Sequence, residues 1–393
     1  MTSTTVLISG AGIAGPALAF WLHRHGFAPT IVERARALRV GGQAVDFRGE
    51  AHLGVLRKMG ILEQVRARRT DMGEQTFVDG AGRPLVRLPA VFMSGDLEIQ
   101  RGDLCQILYD ATRSTTEYCF GDAITALVET DRGVEVSFER AAPRTFDLVI
   151  GADGLHSGVR ALAFGEESRF LRFLGYHVAA FTLPNQWGLV RRGLTHSVPG
   201  RAVCLSSARA PAEARALLVF ASPPLAYDRR DLDAQKAIVR DTFAGMGWET
   251  PRVLAALERA DDLYFDAVAR IELDTCARGR IALLGDAAFG GTLGGQGTGA
   301  AIIGAYVLAG ELAAARGDHR AAFARYDQRI RAYATRCQNG AAHAGPFFAP
   351  RSRARLWLRN AMYRVLSSRA MAGVMRRLVT SAADAIALPD YAT

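Results

Sequence analysis

Lysine is almost missing from this chain: Lys58 and Lys236 are the only two in 393 residues, although the formal charge is +9. The excess is arginine, and it is spread along the chain instead of being grouped with aromatic residues. A nucleic-acid-binding surface would gather that charge on one face or helix, so none is expected. The surplus is instead a general surface bias that contributes to attracting anionic cofactors. Cysteine is scarce and shows no C-x-x-C spacing: Cys105, Cys119, Cys204, Cys276 and Cys337 are scattered and odd in number. No disulfide framework and no metal centre is expected from them. The longest apolar run, 298–308, contains Gly299 and Gly304 and is too short to span a bilayer, so it reads as a buried helix and no membrane partner is expected. No charged-then-apolar leader precedes the first strand-like run. Repeats and low-complexity tracts are absent. These absences point to a cytoplasmic protein with reduced thiols. The apolar fraction of 49% in a chain of this length predicts an ordinary buried core and two or three domains.

What is present begins at residues 5–33. Val6-Leu7-Ile8 is an apolar strand-type run, and Gly10, Gly12 and Gly15 follow in G-x-G-x-x-G spacing before a helix-compatible segment. Gly10 permits the tight turn, Gly12 lets a pyrophosphate approach the backbone, and Gly15 lets the helix pack on the strand. The N–H groups of the helix start, around Ile13 and Ala14, then face the phosphates. A second β-rich run, Thr30-Ile31-Val32, ends on Glu33, where a carboxylate can accept both hydroxyls of an adenosine ribose. The fingerprint alone does not separate FAD from NAD. Glu33 would repel the 2′-phosphate of NADP at this site.

Beyond Glu33 lie Arg34, Arg39 and the sequence Gly41-Gly42-Gln43-Ala44-Val45-Asp46, a basic loop with two glycines suited to close backbone approach to a flat or anionic ligand. Residues 53–68 have amphipathic helical spacing broken at Gly60, 77–86 read as a hairpin, and 97–100 lead into a helix that starts at Arg101. Further strand-type runs end in Asp147-Leu148-Val149-Ile150-Gly151-Ala152-Asp153-Gly154, with Ser157 and Arg160 after them. From about residue 170 well-separated strand candidates predict a smaller, sheet-rich domain. The nucleotide fold resumes at the apolar run 280–284. That run enters Gly285-Asp286-Ala287-Ala288, a loop with six glycines over 290–299, and a small-residue helix. Such a loop brings backbone N–H groups to van der Waals distance of a ligand, and Asp286 at a strand end is placed for a sugar-type hydroxyl. Residues 351–379 form an amphipathic helix or helix pair expected to pack across the two domains, with a membrane-surface or partner helix as the alternative.

Taken in this order, the three motifs resemble the class A FAD-dependent monooxygenases, the aromatic-hydroxylase family with the para-hydroxybenzoate hydroxylase fold that includes the tetracycline-inactivating flavin monooxygenases. The fold this implies is α/β. A Rossmann-type, glutathione-reductase-like FAD-binding domain is drawn from 1–72, 97–165 and 274–340, a β-sheet substrate domain is inserted from 73–96 and 166–273, and a C-terminal helical segment spans 341–393. Carried over by position, Glu33 holds the adenosine ribose, Arg101 contacts FAD, Asp153 belongs to the Asp-Gly motif associated with FAD and NAD(P)H, and Asp286 binds the ribityl chain. Gly297, Thr298 and Gly299 lie beside the isoalloxazine ring, and Arg39 and Asp46 resemble the nicotinamide- and flavin-contacting pair. Three positions depart from the pattern. Phe289 stands where a histidine is frequent, Thr292-Leu293 where a proline is usual, and Gly299 where an asparagine is frequent.

The resemblance implies an enzyme of secondary metabolism, of antibiotic biosynthesis or inactivation. NAD(P)H would act as its transient reductant and O2 as oxidant, and a flavin C4a-hydroperoxide would deliver one oxygen atom to an aromatic or polycyclic small molecule, by hydroxylation or Baeyer–Villiger insertion. A monomer or homodimer is expected. No side-chain base is required for oxygen transfer itself; His177 and His196 are candidates for deprotonating a phenol. Phe181, Phe220 and Phe265 are candidate walls for a planar substrate. The rival readings are a flavin oxidoreductase that inserts no oxygen and a flavoprotein that sequesters a labile intermediate.

Overall fold

The computed structural model describes residues 3–38, 42–70, 72–90, 95–294, 296–367, 371 and 386–391. In chain order, β1 (Thr5–Ser9), α1 (Ala14–Arg24) and β2 (Ala28–Glu33) form the first unit. β3 (Ala44–Phe47) leads into α2 (Gly49–Lys58) and α3 (Leu62–Ala67), and the break between these helices is the expected one at Gly60. β4 (Glu74–Val78) and β5 (Pro84–Leu88) are the hairpin, and β6 (Leu97–Gln100) runs into α4 (Arg101–Asp110). β7 (Glu117–Phe120), β8 (Ile124–Thr130), β9 (Gly133–Phe138), β10 (Arg144–Phe146) and β11 (Leu148–Gly151) precede α5 (Gly158–Phe164). Then come β12 (Leu171–Pro184), β13 (Arg192–Val198), β14 (Arg201–Ser207), β15 (Glu213–Ala221), α6 (Leu232–Phe243), α7 (Thr250–Leu257) and β16 (Tyr264–Ile271). The chain closes with β17 (Ala277–Arg278), β18 (Ile281–Leu283), α8 (Asp286–Phe289), α9 (Gly297–Ala314), α10 (His319–Phe348) and α11 (Arg353–Leu366).

Apolar strand runs without polar alternation are those of a sheet covered on both faces. Val6, Leu7, Ile8, Val149 and Ile150 are fully buried, and β18, β11, β1, β2 and β7 lie parallel in that order, with β17 antiparallel at one edge. The β1–α1 turn crosses the end of this sheet with almost no clearance. Gly10 has φ +109°, and a Cβ there would stand 2.6 Å from the carbonyl oxygen of Ala152. The fingerprint loop and the Asp-Gly loop are therefore in backbone contact, which only glycine allows.

A second sheet has the order β16-β12-β15-β14-β13-β4-β5, so the hairpin at 74–88 joins a sheet otherwise built from residues 171–271. Its two faces differ. One carries Ala179, Phe181, Leu218, Phe220 and Phe265 and is covered by Val239 and Phe243 of α6 and Val253 and Leu257 of α7. The other carries Tyr176, Val178, Cys204, Val219 and Val268 and meets Phe348 at the end of α10. β3 and β6 form a separate antiparallel ribbon.

The run expected as a buried helix extends to 18 residues in α9. It is long and apolar enough to cross a membrane, but most of it is buried inside the fold. The 30-residue α10 and the short α7 escaped the sequence reading. α10 contains Gly340, Gly345 and Pro346 and averages slightly polar, so its apolar stripe is thin. The C-terminal helix appears as α11; its expected continuation to 379 falls outside the described residues.

Candidate functional site

The strand ends and helix starts of the first sheet converge on one cleft. α1 and α9 both begin without a side-chain hydrogen-bond cap, at Ile13 and Gln296, and neither has an acid in its first turn. The first-turn N–H groups of a helix have no intrahelical partner and favour an anion. Arg101 stands with them: its Nη2 lies 3.7 Å from where a Cβ on Gly12 would be, and its stem is 3.6 Å from the same point on Gly42. Among the described residues no carboxylate lies within ion-pair distance of its exposed guanidinium. Asp286, at the end of β18, has Oδ1 3.4 Å from the Cβ position of Gly297. This carboxylate is solvent-accessible yet surrounded by protein, as on a cleft floor. Burial raises its pKa, and the Arg101 charge opposes that rise.

Glu33 is fixed at the end of β2. Its Oε2 accepts the Ala11 N–H at 2.8 Å and its Oε1 the Ala35 N–H at 2.8 Å, so the carboxylate closes the fingerprint loop. Arg34 beside it is exposed. Asp153 turns toward its own loop: Oδ1 accepts from Ser157 Oγ at 2.5 Å and Oδ2 from the Val159 N–H at 3.1 Å, at the start of α5. Buried Arg160 ties this loop to the third motif, with Nη1 donating to the Ala287 carbonyl at 2.9 Å and Nη2 to that of Leu155 at 2.7 Å. The structure thus sets Arg101 beside Gly12, Gly285 against Ala14, Asp286 beside Gly297 and Glu33 on the Ala11 N–H, with Arg160 tying the Asp153 loop to Ala287. Arg39 lies outside the described residues.

Asp46 shares its side of the β3–β6 ribbon with a residue the sequence analysis did not single out. In the β3–β6 ribbon Asp46 pairs with Glu98, and directly opposed residues share a face. Phe47, Leu97 and Ile99 occupy the core side, so the two carboxyl groups share the other side, and both are buried. Arg48 Nε donates to Asp46 at 2.5 Å, and the Thr70 hydroxyl donates to Glu98. Burial raises the pKa of Asp46. It also raises that of Glu98, with Asp46 adding to the rise and the Thr70 bond opposing it, to about 7. The alternation Leu97-Glu98-Ile99-Gln100 marks one apolar and one polar strand face, with Glu98 on the polar one, but does not show that this face is buried.

Two sets of candidates require correction. Phe181, Phe220 and Phe265 are buried against α6 and α7, on the sheet face turned away from Asp46 and Asp286, so they are core and form no substrate wall. His177 shares that face: its ring stacks on Phe220 and Phe265, Nδ1 bonds to Ser222 Oγ at 2.7 Å, and burial lowers its pKa to about 4. His196 is likewise turned to that side, against Trp248, with Nδ1 on the Val78 carbonyl at 3.2 Å. Counting residues along a strand does not say which face is covered; α6 and α7 decide it. The opposite face presents half-buried Leu217 and Tyr264, with Gln75 Nε2 donating to Thr195 Oγ1 at 2.6 Å. Arg215, on the same face, has a buried Nε without a hydrogen-bond partner and a charge felt by Glu98.

The unusual loop after Asp286 has a structural account. Ile271 N–H donates to Gly290 O at 2.9 Å and Thr292 N–H to Ala269 O at 2.9 Å, so 290–292 is stitched to the free edge of β16. Thr292 Oγ1 adds a bond to the Ala267 carbonyl at 3.1 Å. Phe289 is buried near Gly304. At Gly299 a side chain would run into the ring of His52.

A histidine outside the sequence reading joins this edge to the Asp-Gly loop. His156 Nδ1 is 2.9 Å from Glu167 Oε2, and its Nε2 is 3.0 Å from Asp266 Oδ2. Both ring nitrogens face carboxylates, so both donate and the ring is an imidazolium. Burial lowers its pKa, but the bonds to Asp266 and Glu167 outweigh this and raise it. Burial raises that of Glu167, but the bonds from His156 and Arg229 bring it down to about 2.

Comparison with known proteins agrees with this geometry. The family model described as FAD binding domain matches residues 3–341. The uncharacterized protein Rv1260 of Mycobacterium tuberculosis is 44% identical over 341 residues, covering 85% of this chain and 91% of that protein. A flavin-dependent monooxygenase of Legionella longbeachae is 39% identical over 333 residues, covering 84% of this chain and 85% of that one. The crystal structure of tetracycline destructase Tet(51) superposes with a TM-score of 0.85 at 32% identity, over 100% of both chains.

Proposed function

Because this chain belongs to the FAD-binding family of flavin-dependent monooxygenases, we propose that it spends one NAD(P)H and one O2 to place a single oxygen atom on an aromatic or polyketide-like small molecule. The overall balance is substrate, O2, NAD(P)H and a proton giving oxygenated substrate, NAD(P)+ and water. Bound FAD would supply the redox chemistry, namely acceptance of the reductant's electrons and activation of O2.

The cleft suits that cofactor. Two uncapped helix starts and the Arg101 charge suit a diphosphate, Glu33 suits a ribose, and the accessible Asp286 suits a polyol chain. The observation that carries the reading is this meeting of Gly12, Arg101 and the Asp286–Gly297 loop from three separate stretches of sequence. We assign the substrate to the space between the cleft and the Leu217–Tyr264 face of the second sheet. There the apolar side chains exclude water, and Arg215, Gln75 and Thr195 orient polar groups. The likeness to a tetracycline destructase supports a polycyclic substrate. Glu98 holds a proton near neutral pH and is the group we assign to supply the one that the balance consumes.

The test is a panel of phenols and polycyclic ketones, read by NAD(P)H oxidation, O2 uptake and product mass. A substrate that stimulates both consumptions and gains one oxygen atom is expected. Loss of two hydrogens without a gain in oxygen would identify an oxidoreductase that inserts none.

A further inference from the structure

Helix α11 is anchored on one side only. Arg359 Nη1 donates to the carbonyls of Phe347 at 3.0 Å and Phe348 at 2.9 Å, and its guanidinium lies over Phe77 at 4.4 Å. Tyr363 is buried beside the same ring, and Arg364 Nε donates to the Leu85 carbonyl at 3.0 Å. The opposite side is bare. Trp357 is 71% exposed, Leu358 60%, Met362 48% and Val365 63%; these are four of the seven exposed large apolar side chains among the described residues. At 100° per residue, Trp357, Leu358, Met362 and Val365 fall with Ala354 and Ala361 in an arc of about 140°. Arg355 borders the arc on one side and Arg353 on the other, where Arg364 is already taken up by the Leu85 carbonyl. Residues 351–383 contain eight arginines and no Asp or Glu.

We propose that this face of α11 lies on an anionic lipid surface, with Trp357, Leu358, Met362 and Val365 in the acyl boundary and the flanking arginines among the headgroups. The charge selects this occupant: an apolar stripe edged by arginine, on a stretch of sequence without Asp or Glu, matches a negatively charged interface. Tryptophan prefers that depth, and arginine stems reach up from it. The area argues the same way. A stripe roughly 20 Å long and one helix wide falls well short of the roughly 800 Å² per partner that a stable protein interface buries. The amphipathic spacing of 351–379 left a membrane-surface helix open as the alternative to packing across the two domains, and an interfacial helix needs no spanning length. The surface would keep the protein where apolar polycyclic compounds partition; the proposal does not depend on which substrate is oxidised.

The experiment uses the full-length flavin-loaded protein with phosphatidylglycerol-containing and pure phosphatidylcholine vesicles. Expected are co-sedimentation and a blue-shifted tryptophan emission with the anionic vesicles only, both reduced by salt. The double variant Trp357→Asp, Leu358→Asp is expected to bind at least about tenfold more weakly while keeping its flavin content and thermal midpoint, since both side chains are exposed. Three results would each overturn the proposal: no binding to anionic vesicles, binding unchanged in the variant, or concentration-dependent self-association of the wild type that the variant abolishes.

Discussion

The imidazole of His52 fills the space that any side chain at position 299 would need: a Cβ on Gly299 would stand 2.0 Å from its Cε1. The ring cannot retreat. Its Nδ1 accepts the Arg48 N–H at 3.0 Å and its Nε2 meets Tyr333 Oη at 2.5 Å, so it is the neutral tautomer that donates to the tyrosine. Burial, with the nearby Arg48 charge, lowers its pKa to about 4. Gly299→Ala is expected to destabilise the protein by about 1–3 kcal/mol, as overpacking of a tight core does. The same substitution in a His52→Ala background should cost much less. Thermal or urea unfolding of the four proteins measures the coupling, and equal penalties in both backgrounds would refute the contact.

Asp286 and Arg101 are expected to be felt in flavin affinity before anything else. Each offers a charged hydrogen-bonding group worth about 1.5–3 kcal/mol, so Asp286→Asn and Arg101→Gln should each weaken FAD binding by about 10–100-fold. The readouts are the flavin-to-protein absorbance ratio and titration of the stripped protein, with circular dichroism confirming the fold. Unchanged affinity in both variants would remove the cleft as the flavin site.

Much of this was legible in the chain, for physical reasons that also mark where reading stopped. The first sheet could be read because Val6-Leu7-Ile8 and Leu148-Val149-Ile150 are continuous apolar runs, and their glycine turns and terminal acids carry position-specific chemistry. Asp286 could be placed at a strand end and Arg101 at a helix start from the same apolar runs, while the role of Arg101 toward a flavin came only from the family resemblance. What failed was orientation. His177 and Phe220 read well as strand residues, but which face α6 and α7 would cover depended on tertiary contact. Glu98 was passed over because a buried acid resembles an exposed one in a four-residue strand. His156 sits in a turn, and its meaning comes only from Asp266, far along the chain.

The two faces of the second sheet should respond differently to substitution. Phe220→Ala on the α6–α7 side opens a buried cavity and is expected to cost about 3–5 kcal/mol of stability, with KM little changed in the folded fraction. Leu217→Ala, on the half-buried side facing Asp46 and Asp286, should cost less stability and shift KM for the stimulating substrate. Steady-state kinetics beside thermal midpoints separate the outcomes. A KM effect confined to Phe220→Ala would reverse the assignment of faces.

The His156 bridge predicts a stability window in pH. Its folded pKa is raised above 6.5, so its contribution is complete below that value and is lost as pH rises through the folded one. For Glu167 the value falls from 4.5 to about 2, so its contribution is present above 4.5 and is lost as pH falls toward 2. Between about 4.5 and 6.5 both act. His156→Asn should therefore destabilise most near pH 5.5 and progressively less as the solution becomes alkaline. A penalty independent of pH would mean that the ring is neutral in the folded protein.

Glu98 works in the opposite sense and bears on catalysis. In the unfolded chain it ionises near 4.5, whereas in the fold it keeps its proton to about 7. Stability must fall as pH rises through that window, by up to about 3 kcal/mol for a shift of this size. Glu98→Gln preserves the shape and the Thr70 contact but cannot ionise. Its thermal midpoint should fall less between pH 5 and pH 8 than that of the wild type, since only the His156 loss remains, so the variant gains relative stability on the alkaline side. If Glu98 also supplies the proton consumed in turnover, wild-type kcat will decline as pH passes about 7, and that limb will disappear from the much weaker activity of the variant. A variant with full activity and an unchanged alkaline limb would leave Glu98 a structural acid and move the proton source elsewhere.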